Sequence, residues 1–251
     1  MRPKLSEQQW QNMFADPQAG IYLIDKSKRT HSFRAVSVLR KLLQIKKVGF
    51  AGTLDPLASG LLILASGKAT RMLDWFHILP KTYQADILFG QTSATYDLEG
   101  EMKINDQATK FDQAKLEQAL QKFSGEQEQV APIFSAKKIA GQKLNKLARL
   151  GKKITPPTSR VIIHDLKILS FDYPKLKLEA RVSTGTYIRS LAHDLGQFLG
   201  TGAVLSDLRR TSIGDFSVEQ AVSLDDLDQA KLVQYKMPPE EIKKYLDQYP
   251  V

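Results

Sequence analysis

The sequence predicts an α+β fold: a mixed, largely antiparallel central sheet flanked by helices, with a basic excursion leaving the sheet. Three observations carry this. Apolar residues recur with period two in some segments and with helical period in others, so both kinds of element are present. Strand-like and helix-like segments do not alternate strictly, which disfavours a doubly wound parallel sheet. The 251 residues are 42% hydrophobic and 25% charged, enough apolar material for a sizeable core and too much for a disordered chain.

The elements follow in order. Residues 20–25 read as a short apolar strand, and 33–44 as an amphipathic helix with Val36, Leu39, Leu42 and Leu43 on one side. Residues 61–65 are uniformly apolar and read as a fully buried strand. Residues 81–90 alternate, with Tyr83, Ala85, Ile87 and Phe89 on one face, and Leu176, Leu178, Ala180 and Val182 repeat the pattern. Between them, 111–123 reads as a helix. The segment 129–160, bounded by Pro132 and by Pro156-Pro157, reads as an excursion carrying a short charged helix over 141–150. The clearest helix is 187–199, with Ile188, Leu191, Ala192, Leu195, Phe198 and Leu199 at helical spacing, Gly196 as a blemish and Gly200 as its C-cap.

Composition narrows the function. There is no cysteine, so disulfides, thiolate catalysis and cysteine-ligated zinc are excluded. His31, His77, His164 and His193 lack ligand spacing, and no metal site is expected. No apolar run has the length of a membrane span, and residues 6–11 are polar where a signal core would be apolar; the expected location is the cytoplasm. The net charge is +9, unevenly spread. Residues 137–160 carry eight Lys and Arg and no acid, residues 1–50 carry ten against three acids, and 219–251 carry seven acids against four lysines. Two basic blocks with an acidic end point to a polyanionic partner, nucleic acid before an anionic membrane.

One stretch concentrates chemistry: Gly49-Phe50-Ala51-Gly52-Thr53-Leu54-Asp55-Pro56-Leu57-Ala58-Ser59-Gly60-Leu61-Leu62. Read locally, Asp55-Pro56 is a helix N-cap with proline at the first helical position, among glycines that suit a sharp turn. A second stretch runs from Ser183-Thr184-Gly185-Thr186-Tyr187-Ile188-Arg189 through Leu199-Gly200-Thr201-Gly202-Ala203 to Leu208-Arg209-Arg210-Thr211. Read locally, Tyr187 and Arg189 open a helix after a glycine turn. Gly67-Lys68 is not a phosphate loop, because Leu62 and Ala69 stand where a Walker motif needs glycine and a hydroxyl residue.

Both stretches closely resemble the TruB family of tRNA pseudouridine synthases, whose catalytic motif is G-x-x-G-T-L-D-P-x-A-x-G-L-L and whose later motifs are S-x-G-T-Y-I-R, L-G-x-G-A and L-R-R. The resemblance covers most of residues 20–220. It implies a pseudouridine synthase fold and an isomerase that converts the T-loop uridine at conventional position 55 of tRNA to pseudouridine. Asp55 would be the nucleophile, attacking base or sugar. Arg189 would pair with it, and Tyr187 would lie against the reacting base. Tyr83, in Lys81-Thr82-Tyr83, would stack on that base; alone it would read as an ordinary inward tyrosine. Arg71, in the G-x-A-T-[KR] that follows the catalytic motif, would touch phosphate, and Asp97 would contact RNA or flanking residues. The basic segment resembles the family's thumb, so Lys137, Lys138, Lys143, Lys146, Arg149, Lys152 and Lys153 are expected to clasp the T-stem and loop. Leu208, opening the L-R-R motif, joins the RNA-contacting set.

The chain departs from the family pattern at three places. Phe50 stands where a histidine is usual and would fill the gap left by the flipped base. The D-K-P-x-G element is Asp25-Lys26-Ser27-Lys28-Arg29, and the thumb tyrosine is Asn145. The expected organisation is a catalytic domain over 1–225 with the thumb inserted at about 129–160, then a short acidic tail over 226–251 and no PUA domain. Since isomerisation oxidises, hydrolyses and transfers nothing, no cofactor is expected; nor is a protein partner, and the expected state is a monomer. Two other readings compete: a tRNA-folding chaperone of the same fold without chemistry, and a carboxylate glycosidase, for which no second acid is evident.

Overall fold

The computed structural model describes residues 6–135, 137–139, 141–150 and 154–248. The chain runs through α1 (Glu7–Phe14), β1 (Gly20–Lys26), α2 (Ser32–Leu43), β2 (Val48–Ala51), β3 (Ser59–Ser66), α3 (Leu73–Ile78), β4 (Lys81–Phe89), β5 (Gln91–Ser93), β6 (Met102–Ile104) and α4 (Gln113–Lys122). It continues through β7 (Gly125–Val130), β8 (Lys138–Ile139), β9 (Gln142–Lys143), α5 (Leu144–Arg149), β10 (Thr158–Asp172) and β11 (Lys175–Val182). It ends with α6 (Ile188–Phe198), β12 (Ala203–Ile213), β13 (Phe216–Ser217), β14 (Val222–Ser223) and α7 (Pro239–Asp247). Two units result, residues 1–81 with 209–251, and residues 82–208.

In the first unit the strand order is β14-β1-β3, with β2 on β3 and the end of β12 beside β3. β1 and β3 pair antiparallel from Gly20↔Ser66 to Lys26↔Gly60, whereas β1 with β14 and β3 with β12 are parallel. Both faces of the β1–β3 pair are covered, which is why 61–65 shows no alternation. Ile21, Leu23, Leu61 and Ile63 face a core with Trp10, Phe76, Phe216, Ile242 and Leu246. Tyr22, Ile24, Leu62 and Leu64 face Ala35, Val36 and Leu39 of α2. Helix α1 starts on a capping box in which Ser6 and Gln9 satisfy each other's backbone N–H groups. The segment read from sequence as an acidic tail contains α7, whose Ile242 and Leu246 belong to that first core.

In the second unit the order is β12-β4-β11-β10-β7. β11 and β7 both pair antiparallel with β10. β4 buries Lys81, Tyr83, Ala85, Ile87 and Phe89 in alternation, and β11 buries Leu176, Leu178, Ala180 and Val182, so one face of this sheet is buried and the other half-exposed. The helix α6 occupies the span read from its periodicity, and Gly200 follows it at φ +75°. Gly196 is no blemish: a Cβ there would lie 2.1 Å from the Ala203 backbone nitrogen, so the missing side chain lets β12 start against the helix.

The structure differs from the sequence reading in the excursion. Instead of a helix over 141–150, β8 and β9 form a hairpin around Gly141 at φ +79°, and only Leu144–Arg149 is helical. A glycine in the left-handed region turns the chain back, which a continuous helix cannot do. The long strand β10 gives a weak periodic signal because only Val161 and Ile163 are fully buried, most of its residues are exposed, and two register shifts, between Ile163 and Asp165 and between Ile168 and Ser170, interrupt its alternation.

Candidate active site

Asp55 lies between β2 and β3. Gly52, at φ +72°, turns the chain, and residues 56–57 form a turn that leads directly into β3. No helix follows, so the N-cap reading of Asp55-Pro56 fails: after a two-residue turn the apolar run is a strand. The Asp55 carbonyl accepts the Ala58 N–H at 3.0 Å, and the residue is half-buried.

Four neighbours hold this loop. Ser32, at the start of α2, donates its hydroxyl to the Leu54 carbonyl at 2.9 Å and accepts the Leu54 N–H at 3.0 Å. Arg29 donates its backbone N–H to the Pro56 carbonyl at 2.7 Å. Arg210, 1% exposed, donates from Nε to Leu61 at 2.7 Å and from a terminal nitrogen to Gly52 at 3.0 Å. Lys26, fully buried, donates to the carbonyls of Ser27 at 3.0 Å, Thr30 at 2.8 Å and Ala58 at 2.6 Å. Three donors meet three acceptors, which satisfies an ammonium completely. Burial first, then Arg210, pull its pKa down to about 8, while Asp55 and Asp25 oppose the shift. It is still charged at neutral pH. Beside it Asp25 takes a two-point ion pair from Arg209 at 2.7 and 3.1 Å.

The altered D-K-P-x-G element now has a geometry. Arg29 sits at φ +59°, a left-handed conformation that costs a side chain about 1–2 kcal/mol and glycine almost nothing. The conformation is kept without the glycine because its N–H anchors Pro56.

In the second unit, Tyr83 is 9% exposed on the buried face of β4. Tyr187 is the residue before α6, and both its backbone groups are gripped by one side chain: Gln129 Oε1 accepts the Tyr187 N–H at 2.8 Å, and Gln129 Nε2 donates to the Tyr187 carbonyl at 3.0 Å. Arg189, 5% exposed, donates to the carbonyls of Thr95 at 3.0 Å and Phe134 at 3.3 Å and lies 3.4 Å from the Asp97 carboxylate. Asp97 is 2% exposed, and its carboxylate also accepts the Thr95 hydroxyl at 2.5 Å and the Glu99 N–H at 3.0 Å. Its carboxylate thus joins Thr95 and Glu99 of its own loop to Arg189 at the start of α6. One turn further along α6, His193 stacks on Tyr96 at 3.9 Å, and burial raises the Asp194 carboxyl to about 6.

The remaining residues are dispersed. Phe50 is half-buried on β2, paired with Leu64 and packed against the α2-side core. Arg71 and Lys68 are exposed and, with Gln9, Asn12 and Met13 of α1, line a cleft of about 390 Å³. Leu208 is 7% exposed on β12. Lys137 donates to the Ser159 hydroxyl, and Lys146 is exposed on α5. Lys138, Lys143 and Arg149 are placed by their backbone in β8, β9 and α5, and Lys152 and Lys153 lie outside the described residues.

Sequence reasoning missed the positioning residues Ser32, Lys26, Arg210 and Gln129. Arg210 was visible inside L-R-R and Lys26 inside the altered D-K-P-x-G. Gln129, on a strand with little periodicity, left no local signal.

This arrangement of sheet, helices and anchored carboxylate is the pseudouridine synthase fold. It matches a chain in the crystal structure of a Cbf5-Nop10-Gar1 complex with a TM-score of 0.70 and 26% identity, over 91% of this chain and 63% of that one. Residues 40–188 match the TruB family pseudouridylate synthase N-terminal domain, and residues 189–249 match the tRNA pseudouridylate synthase B C-terminal domain. The chain belongs to the TruB family of pseudouridylate synthases. It is 42% identical over 200 residues to tRNA pseudouridine synthase B of Fusobacterium nucleatum subsp. nucleatum, spanning 80% of this chain and 69% of that protein. It is 40% identical over 218 residues to tRNA pseudouridine synthase B of Chlamydia muridarum, spanning 85% and 88% respectively.

Proposed function

We propose that this isomerase converts the T-loop uridine at conventional position 55 of tRNA to pseudouridine, with Asp55 as its nucleophile. The observation that carries the reading is the placement of Asp55: a half-buried carboxylate on a turn that caps no helix, yet is held at Leu54, Pro56 and Ala58 on its two sides. Such anchoring is what a nucleophile needs and what a mere turn residue does not. A base stacked in a loop must first be flipped out, at a cost of a few kcal/mol that stacking and phosphate contacts offset. Asp55 then adds covalently, the glycosidic bond to nitrogen breaks, and the base rotates and rejoins the sugar through carbon; that carbon gives up its proton, the freed nitrogen takes one up and the bond to Asp55 breaks, so the product has the composition of the substrate and the carboxylate is regenerated.

Arg189 is assigned to pair with Asp55, which favours the ionised form that attacks. Asp97 and Thr95 orient Arg189, and Gln129 orients Tyr187. Tyr83 and Tyr187 bracket the base, and Phe50 fills the space it leaves. Arg71 and the thumb lysines hold phosphates, and Leu208 is assigned to contact the RNA. The chain is proposed to act as a monomer in the cytoplasm, its catalytic domain including the thumb; among the described residues no helix is long and apolar enough to cross a membrane. Incubation with unmodified tRNA transcript followed by pseudouridine mapping tests the reading. Modification confined to the T-loop uridine is expected; modification elsewhere, or a released base, contradicts it.

A further inference from the structure

We propose a second RNA-binding surface on α2, in which Phe33 stacks an unpaired base and the basic face behind it follows the phosphates. The inference rests on the reading of the chain as an RNA-modifying enzyme and adds a binding site to it. From Lys26 to Leu54 the sequence holds eight Lys and Arg and no acid, a block the thumb does not account for. Phe33 is 58% exposed in the first turn of α2, although the helix has a buried apolar face in Ala35, Val36 and Leu39. An exposed aromatic is ordinary by itself; its surroundings are what point to a ligand.

The residue before it, Ser32, grips Leu54, so the ring is tied through one side chain to the loop that carries Asp55. The Arg40 guanidinium lies 5.5 Å from the ring centroid and is itself fixed by a 3.2 Å bond to the Val48 carbonyl. The ring is thus supported by a tethered cation while most of the residue faces solvent. On the same helix Arg34 and Lys41 are exposed cations two turns apart with Ser37 exposed between them, and Lys46 and Lys47 are exposed just beyond its end. An aromatic platform beside a track of cations is how proteins take single-stranded nucleic acid without reading its sequence. Charge complementarity selects RNA as occupant, and continuity with the Asp55 loop places it on nucleotides flanking the target.

The test uses the full chain and tRNA transcript. Phe33→Ala is expected to weaken tRNA binding about tenfold with an unchanged melting temperature, and Phe33→Trp to restore it. The emission of the added tryptophan, taken as the difference from wild type, should be quenched on binding. Arg34→Gln with Lys41→Gln should lower the slope of log affinity against log salt by about 1.4–1.8. Unchanged affinity in Phe33→Ala, or equal loss in the Ala and Trp variants, overturns the proposal. So does Phe33-dependent binding to phosphatidylserine vesicles with tRNA binding unaltered, which would make the surface a membrane contact. Because these readouts are binding and fluorescence, they stand apart from pseudouridine mapping: a wild type that binds through Phe33 but forms no pseudouridine fails the functional reading alone.

Discussion

Tyr83 and Tyr187 look alike in sequence but are held differently. Tyr83 is a strand residue on a buried face, whereas Tyr187 has both backbone groups clamped by Gln129. If both rings bracket the flipped base, leucine at either position should reduce kcat by one to two orders of magnitude while changing tRNA affinity about fivefold or less, since positioning governs the chemical step. Equal losses in both quantities, measured by single-turnover kinetics and filter binding, would assign them to packing. A second residue-scale prediction concerns Asp194, beside His193 and Tyr96. Burial raises its carboxyl to about 6 and lowers the His193 imidazole, while burial and then Asp194 raise the Tyr96 hydroxyl. Because the folded pKa lies above the unfolded value, the folded state binds more protons between about pH 4 and 6, and stability falls as pH rises through that window. Asp194→Asn should therefore melt higher than wild type at pH 8 and show less of that gain at pH 4. A gain of the same size at both pH values would show that ionisation is not involved.

At the scale of elements, close approaches explain residues that propensity does not. Gly196 sits in the middle of α6, where alanine is normally the better helix former. Here Gly196→Ala should cost about 2–3 kcal/mol in denaturant unfolding, because the added Cβ meets the backbone of Gly202 and Ala203; a stabilised variant would contradict the packing. The same contrast marks what could be read before the structure. α2, β3, β4, β11 and α6 were legible because burial on one face, or on both, writes a periodic or uniform apolar pattern. β10 was not, since it is largely exposed, nor was the hairpin of β8 and β9, whose signal is the conformation of Gly141. At the site, motifs singled out Asp55, Tyr83, Tyr187 and Arg189, whereas local spacing alone gave the mistaken reading of Asp55-Pro56 as a cap. The residues that hold them were harder to see, because Ser32 and Gln129 act on backbone carbonyls and amides remote in sequence, as Lys26 does at Ala58.

For the whole molecule, the uneven charge should govern how tRNA is found and held. Replacing Lys137, Lys143 and Lys146 by glutamine should flatten the salt dependence of binding by about 2.1–2.7, at 0.7–0.9 per neutralised phosphate. An isolated T-stem-loop should remain a good substrate, and an unchanged slope would move recognition away from the thumb. The central claim is that an anchored carboxylate, serving no helix, performs the isomerisation. It is tested most directly by Asp55→Asn, assayed for pseudouridine on tRNA transcript alongside thermal melting and tRNA binding. The expected result is a loss of turnover of at least about a thousandfold with melting temperature and affinity near wild type, because the amide keeps the shape and the loop anchors but not the nucleophile. Turnover close to wild type, or a loss of activity that tracks a loss of fold, would contradict it.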